Sequence, residues 1–134
     1  MAKDLTASPL ERQNILNNRY ALEKLEEHLG LGGVLFEGEL LFTKHQLVEV
    51  FNISESTVEK YLASHTDELS ANGYTVLRGR KLREFKALSN VSVMNYGNKA
   101  PVLGVFTFRA TLNLAMVLVE SDRAREIRSR ILDI

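Results

Sequence analysis

Cysteine is absent from the 134 residues, which excludes disulfides, thiolate nucleophiles and Cys-based zinc sites. Long apolar runs are absent too. The longest, LNLAMVLV (112–119), is far too short to span a bilayer, and the N-terminus lacks the apolar core of a secretion signal. A cytoplasmic, reducing compartment and no membrane association are the expectation. No G-x-S-x-G elbow occurs, and no glycine-rich loop ends in Lys-Ser/Thr. His28, His45 and His65 fall on three separate segments without metal-ligand spacing, so they read as surface or capping histidines, with no metal or cofactor expected. GLGG (30–33) lacks the helix start and lysine of a phosphate cradle and reads as a helix stop plus linker. An enzyme is not expected.

Net charge is also absent, but only in the sum. Residues 1–73 carry six Lys/Arg against twelve Asp/Glu, net −6; residues 74–110 carry seven against one, net +6; the last 24 carry four of each. A basic block inside a neutral chain is a candidate polyanion site, or else a solvated face. Length and an apolar fraction of 45% fit one soluble domain with a sizeable core.

The order of elements reads as α+β. Ser8, Pro9 and Glu11 open a first helix, along which Ile15, Leu22, Leu25 and Leu29 recur with Asn18 on the same stripe until GLGG. Such a stripe either docks on its own domain or pairs with a second copy as a coiled coil, with Asn18 setting register. VLFEGELLF (34–42) predicts a hairpin around Glu37-Gly38. Thr43 and Gln46 form a capping-box pattern for a helix through Phe51. DELSANG predicts one helical turn, and YTVLR (74–78) a strand. RKLREFKAL is readable as helix or strand. VSVMN and VLGVFTF, joined by YGNKAP, predict a second hairpin. A buried helix (112–119) and an amphipathic one from 122, with Ala124, Ile127, Ile131 and Ile134 on one side, close the chain. The expected architecture is a winged helix-turn-helix with an extra N-terminal helix, two small β-hairpins and a C-terminal helix pair. It forms a single domain, divided into 1–32 (helix and linker), 33–110 (helix-turn-helix with basic wing region) and 111–134 (C-terminal helices). With no C-capping signal before Ile134, a fragment of a longer chain is expected.

The stretch FNISESTVEKYLASH (51–65) carries the functional reading. Leu47, Phe51, Ile53, Val58 and Tyr61 sit where two helices of a helix-turn-helix press together, and Asn52 occupies a turn position where left-handed backbone is common. Ser54 caps the second helix. Outward-facing Ser54, Glu55, Ser56, Thr57, Glu59 and Lys60 would meet a DNA groove, the two glutamates disfavouring non-specific binding. RGRKLREFK then places Arg78, Arg80, Lys81, Arg83 and Lys86 within nine residues, where winged variants set cations on flanking phosphates. Arg123, Arg125, Arg128 and Arg130, with acids interspersed, read as intrahelical ion pairs.

The helix-turn-helix (44–63), the NGY…L.G…L.EFK block (72–86), F.F.A.LNLAM (106–116) and S.RAR.IRS..LDI (121–134) resemble the RhuM-type DNA-binding proteins. These are bacterial and phage-borne chains related in style to the Bro-N and KilA-N domains of phage antirepressors. The likeness covers about two-thirds of the chain and leaves out the first helix. It implies a double-stranded DNA-binding module, often encoded near mobile elements or toxin partners of the Fic/Doc type, with a further domain beyond Ile134. The expected function is sequence-specific duplex DNA binding by a transcriptional or mobile-element regulator, with a homodimer through the N-terminal helix as one arrangement. The alternative is an antitoxin-like or scaffold module that docks a protein partner.

Overall fold

The computed structural model describes residues 4–88 and 101–133. Among these it contains eight helices and one antiparallel four-stranded sheet, an α+β arrangement. Local chemistry accounts for most boundaries. Ser8 accepts from the Glu11 amide and opens helix α1 (Pro9–Leu16), with Pro9 at the position where its missing N–H costs nothing. Helix α2 (Arg19–Leu29) ends on Gly30 in left-handed conformation (φ 54°). Strands β1 (Val34–Phe36) and β2 (Glu39–Thr43) join through Glu37 and Gly38, both at positive φ (51° and 85°), the two-residue turn whose twist matches the flanking strands. Thr43 and Gln46 cap helix α3 (Lys44–Phe51) reciprocally: the Gln46 amide donates to Thr43 Oγ1 (3.2 Å), and the Thr43 amide to Gln46 Oε1 (2.9 Å). Helices α4 (Glu55–Ser64) and α5 (Thr66–Ala71) follow, then β3 (Thr75–Arg78), α6 (Gly79–Leu88), β4 (Val102–Thr107), α7 (Phe108–Val117) and α8 (Asp122–Leu132).

The strand order is β1-β2-β4-β3, with every pairing antiparallel. Side chains alternate across the sheet and create two cores. Phe42 and Phe106 point into the larger one, with Leu47, Phe51, Val58, Leu112, Leu114, Met116 and Ile127. Their neighbours Leu41 and Val105 point the other way and join Phe36, Leu77, Leu82 and Phe85 in a smaller one. There Phe36 and Phe85 meet edge to face, ring centroids 5.7 Å apart. The sheet is therefore a middle layer, with α6 on one face and α3, α7 and the other packed helices on the opposite face.

The structure corrects some expectations from sequence and decides another that was open. The first helix is two helices: the chain breaks at Asn17-Asn18, and Asn18, far from setting a coiled-coil register, caps α2 by accepting from the Ala21 amide (3.1 Å). Of the stripe, Leu25 and Leu29 are buried in the chain's own core and Ile15 and Leu22 pack half-buried against it. The ambiguous segment 80–88 is helix, because Leu82 and Phe85, three apart, bury a common stripe on the sheet. Arg80, Lys81, Arg83 and Lys86 thus ride on a sheet-packed helix, and only Arg78 lies on a strand. Strand β4 ends at Thr107, which caps α7 through its side chain, so Phe108 begins a helix. Finally, β4 pairs with β2 and β3; the expected hairpin partner VSVMN and its YGNKAP turn lie outside the described residues, as does Ile134.

A polar cluster ties α1 to the rest. Arg12, only 3% exposed, donates to both carboxylate oxygens of Glu68 (2.7 and 2.6 Å) and to the Leu5 carbonyl (2.8 Å). Asn113 also donates to Glu68, and buried Asn72 links Gln13, Asn113 and Arg109. The Arg12 hydrogen bonds hold the Glu68 carboxyl below its ordinary pKa against the opposing effect of burial.

Candidate nucleic-acid interface

The α3–α4 pair is built as its sequence implies. Leu47, Phe51 and Val58 are fully buried, Tyr61 is buried, and Ile53 packs half-buried between them. Asn52 takes the left-handed conformation (φ 54°, ψ 53°) that turns the chain, and its side chain tolerates that state better than most. Ser54 caps α4, accepting from the Thr57 amide at 3.2 Å. Its hydroxyl also lies 3.0 Å from Ser56 Oγ and 2.9 Å from Thr57 Oγ1, so three hydroxyls cluster at the helix N-terminus. Ser54, Ser56, Glu59 and Lys60 are exposed; Glu55 and Thr57 are half-buried. Ser121, which caps α8, donates to the Phe51 carbonyl at 2.7 Å and fixes the end of α3 against the C-terminal helices.

Charge on this face is largely cancelled from within. Lys44 Nζ reaches Glu59 at 2.7 Å and Glu55 at 3.4 Å. Burial works against its ammonium, but the hydrogen bond and charge of Glu59, supported by Glu55, hold its pKa above the usual lysine value. Lys60 pairs with Glu120 at 3.3 Å and lies over the Tyr61 ring, 5.3 Å from its centroid. The Tyr61 hydroxyl donates to Glu120 as well. Burial first, then that bond, pushes the Tyr61 pKa up, while the same bond lowers Glu120. Lys44 and Glu120 as partners of this helix were not legible in the sequence, because they come from the start of α3 and from the α7–α8 connection.

Four of the five basic residues lie elsewhere. Arg80, Lys81, Arg83 and Lys86 lie on α6, across the sheet from α3 and α4, whereas Arg78 ends β3 and, next to Leu77, alternates away from the α6 face. The structure therefore does not bring the four α6 cations together with Ser54, Glu55, Ser56, Thr57 and Lys60, contrary to their nearness in the chain. Arg80 is 82% exposed on its side chain, 3.6 Å from Glu84; Lys81 reaches Glu37 at 3.4 Å. Arg78 and Arg83 are exposed and make no ion pair among the described residues.

On α8, Arg123 and Arg125 make the expected short-range pairs with Glu126 and Asp122. Arg128 does not: it donates to the Ala115 and Leu118 carbonyls (2.8 and 2.7 Å), satisfying the C-terminal end of α7. The histidines are far apart in role. His28 lies 2.7 Å from the Lys24 carbonyl, His45 is 3.4 Å from Glu49, and His65 stacks on Tyr61 between α4 and α5. Among the described residues no group of three or more His, Asp or Glu is placed to hold a metal ion, and no helix is long and apolar enough to cross a membrane. Comparison with protein-family models, curated proteins and solved structures finds no match.

Proposed function

We propose that this chain binds double-stranded DNA in a sequence-dependent manner, with α3, the Asn52 turn and α4 acting as a helix-turn-helix and α4 entering the groove, in the role of a transcriptional or mobile-element regulator. The observation that carries the reading is the turn: a left-handed Asn52 followed by a Ser54 cap aims a helix whose exposed N-terminal turn presents hydroxyls and backbone amides. Such a terminus suits phosphate or base-edge contacts. The glutamates paired with Lys44 remove most of the non-specific attraction, so affinity on this face would come from direct readout and depend strongly on sequence. The resemblance to RhuM-type proteins points the same way.

The test is enrichment of duplexes from a random pool by the intact chain, followed by titration of the enriched sequence. Ser56→Ala or Thr57→Ala should shift preference among sequences by roughly 1–3 kcal/mol where a base contact is lost. A pool that stays random would refute the reading. The second reading, a protein-docking module of the antitoxin or scaffold kind, is favoured by a different observation. A cleft of about 440 Å³ is lined by Leu22, Leu35 and Leu40 together with Glu26, Glu39 and Arg109, Arg109 being engaged by Leu16 and Asn17, and Leu35 is 65% exposed. It would account for a random pool together with capture of a cationic, amphipathic partner.

A further inference from the structure

The most basic segment of the chain, helix α6, is folded away from α4, which precedes it in sequence. Helix α6 buries Leu82 and Phe85 against Phe36, Leu77 and Val105, and so turns Arg80, Arg83 and Glu84 outward on the side of the sheet opposite α3 and α4. Helical periodicity sets Arg80 and Arg83 next to each other on the outer face and Lys81 and Lys86 along its two flanks. The pairs with Glu84 and Glu37 are solvent-exposed and long (3.6 and 3.4 Å). Pairs of this kind contribute little, and their cations can exchange a carboxylate for a phosphate. Residues 78–88 carry five cations and one acid, while residues 1–73, net −6, hold every residue of α4.

From this placement we infer that α6 is a separate nucleic-acid face, taking the phosphate backbone of a DNA duplex other than the one α4 enters, so that one copy links two DNA segments. The occupant follows from charge complementarity. An outward guanidinium pair flanked by two ammonium groups suits a surface of regularly repeated, sequence-independent negative charge, with guanidinium forks matching phosphate oxygens. The linking of two segments rests on the α4 reading; the backbone contact by α6 does not.

Two measurements test it on the full chain. In the first, a labelled random-sequence duplex is titrated by fluorescence anisotropy through a salt series with wild type, Arg80→Ala/Arg83→Ala, Arg80→Lys/Arg83→Lys and Ser56→Ala/Thr57→Ala. Loss of two phosphate contacts should make the slope of log affinity against log salt shallower by up to about 1.8 units. The lysine variant should keep most of the slope, and the α4 variant all of it. In the second, a duplex enriched from a random pool by Arg80→Ala/Arg83→Ala is immobilised, and capture of a labelled random duplex is scored. Wild type should capture it; Arg80→Ala/Arg83→Ala should occupy the immobilised duplex and capture none. An unchanged salt slope in the alanine variant overturns the inference. So does equal capture by that variant, or salt-sensitive self-association without duplex binding, which would make a second copy's acidic surface the occupant. If no sequence is enriched, the linking claim is overturned with the α4 reading, and the slope alone still decides the backbone contact.

Discussion

Replacing Arg12 by Met keeps the aliphatic stem and removes a guanidinium that is almost fully buried. Wild-type Glu68 takes two Arg12 bonds of 2.7 and 2.6 Å and one from Asn113; the variant leaves it only Asn113. Breaking a buried pair from one side costs about 3–5 kcal/mol. Glu68 keeps 20% side-chain exposure, so water recovers part of its solvation, and the loss belongs at the lower end, about 3 kcal/mol. Against a total stability of about 5–15 kcal/mol, this is a large fraction and should lower the urea midpoint by about 1–3 M. The sign of the pH dependence follows from Glu68, whose folded pKa lies below its unfolded one. Its stabilising contribution is present above the unfolded carboxylate value and is lost as pH falls through the folded one. The gap between wild type and Arg12→Met should therefore be widest near neutrality and close in acid. Arg12→Met/Glu68→Leu, which removes both charges, should recover much of the loss. Urea unfolding at neutral and acid pH decides the matter: a gap below about 1 kcal/mol at pH 7, or one that does not close in acid, refutes the argument.

Phe51→Ala empties a fully buried site between α3 and α4 and should cost about 3–5 kcal/mol by denaturant unfolding. Asn52→Gly should be close to neutral because the site is left-handed, whereas Asn52→Val should cost about 1–2 kcal/mol in the same assay. Gly73→Ala would place a methyl group at φ +119° against Thr107 Oγ1, the atom that caps α7. It should lose more than about 1 kcal/mol, with reduced helical signal in circular dichroism if the α7 cap is displaced.

Features specified within a few residues were readable from the sequence. Thr43 and Gln46, Asn52 and Ser54, and Glu37-Gly38 each act on their own backbone, so residue type and spacing sufficed. The break between α1 and α2 was missed although Asn18 caps α2 within three residues, because an Asn on an apolar stripe does not by itself announce a break, and a distant partner also holds it. Arg109 donates to the Leu16 carbonyl and Asn17 Oδ1 (both 2.6 Å), capping α1 from 93 positions away. The placement of α6 was equally hidden. Its apolar spacing allowed a helix, but which side of the sheet it covers depends on the pairing of β3 with β4 and on which face Leu77 takes. Adjacency in sequence therefore misled where it was used to place Arg80–Lys86 beside α4. The buried roles of Arg12 and Asn72 escaped because arginine and asparagine are ordinarily surface residues.

The strand order has a consequence for how the chain must assemble. β4 lies between β2 and β3, yet it is the last of these four strands to be synthesised, pairing with β2 across roughly sixty intervening residues. A nascent chain that has reached Leu88 has a finished β1–β2 hairpin and the β3 segment but no strand to join them. Phe42 then lacks Phe106 on one side of the sheet, and Leu41 lacks Val105 on the other. Both cores need the same six residues, Val102–Thr107, and the larger one also needs α7 and α8 behind them, so neither layer can mature before β4 and the β2 edge stays open to foreign strands until it arrives. Arrival of β4 is thus a single late event that closes the sheet and unites its two sides, and a ribosome stalled shortly before Val102 should present a chaperone-dependent, aggregation-prone chain.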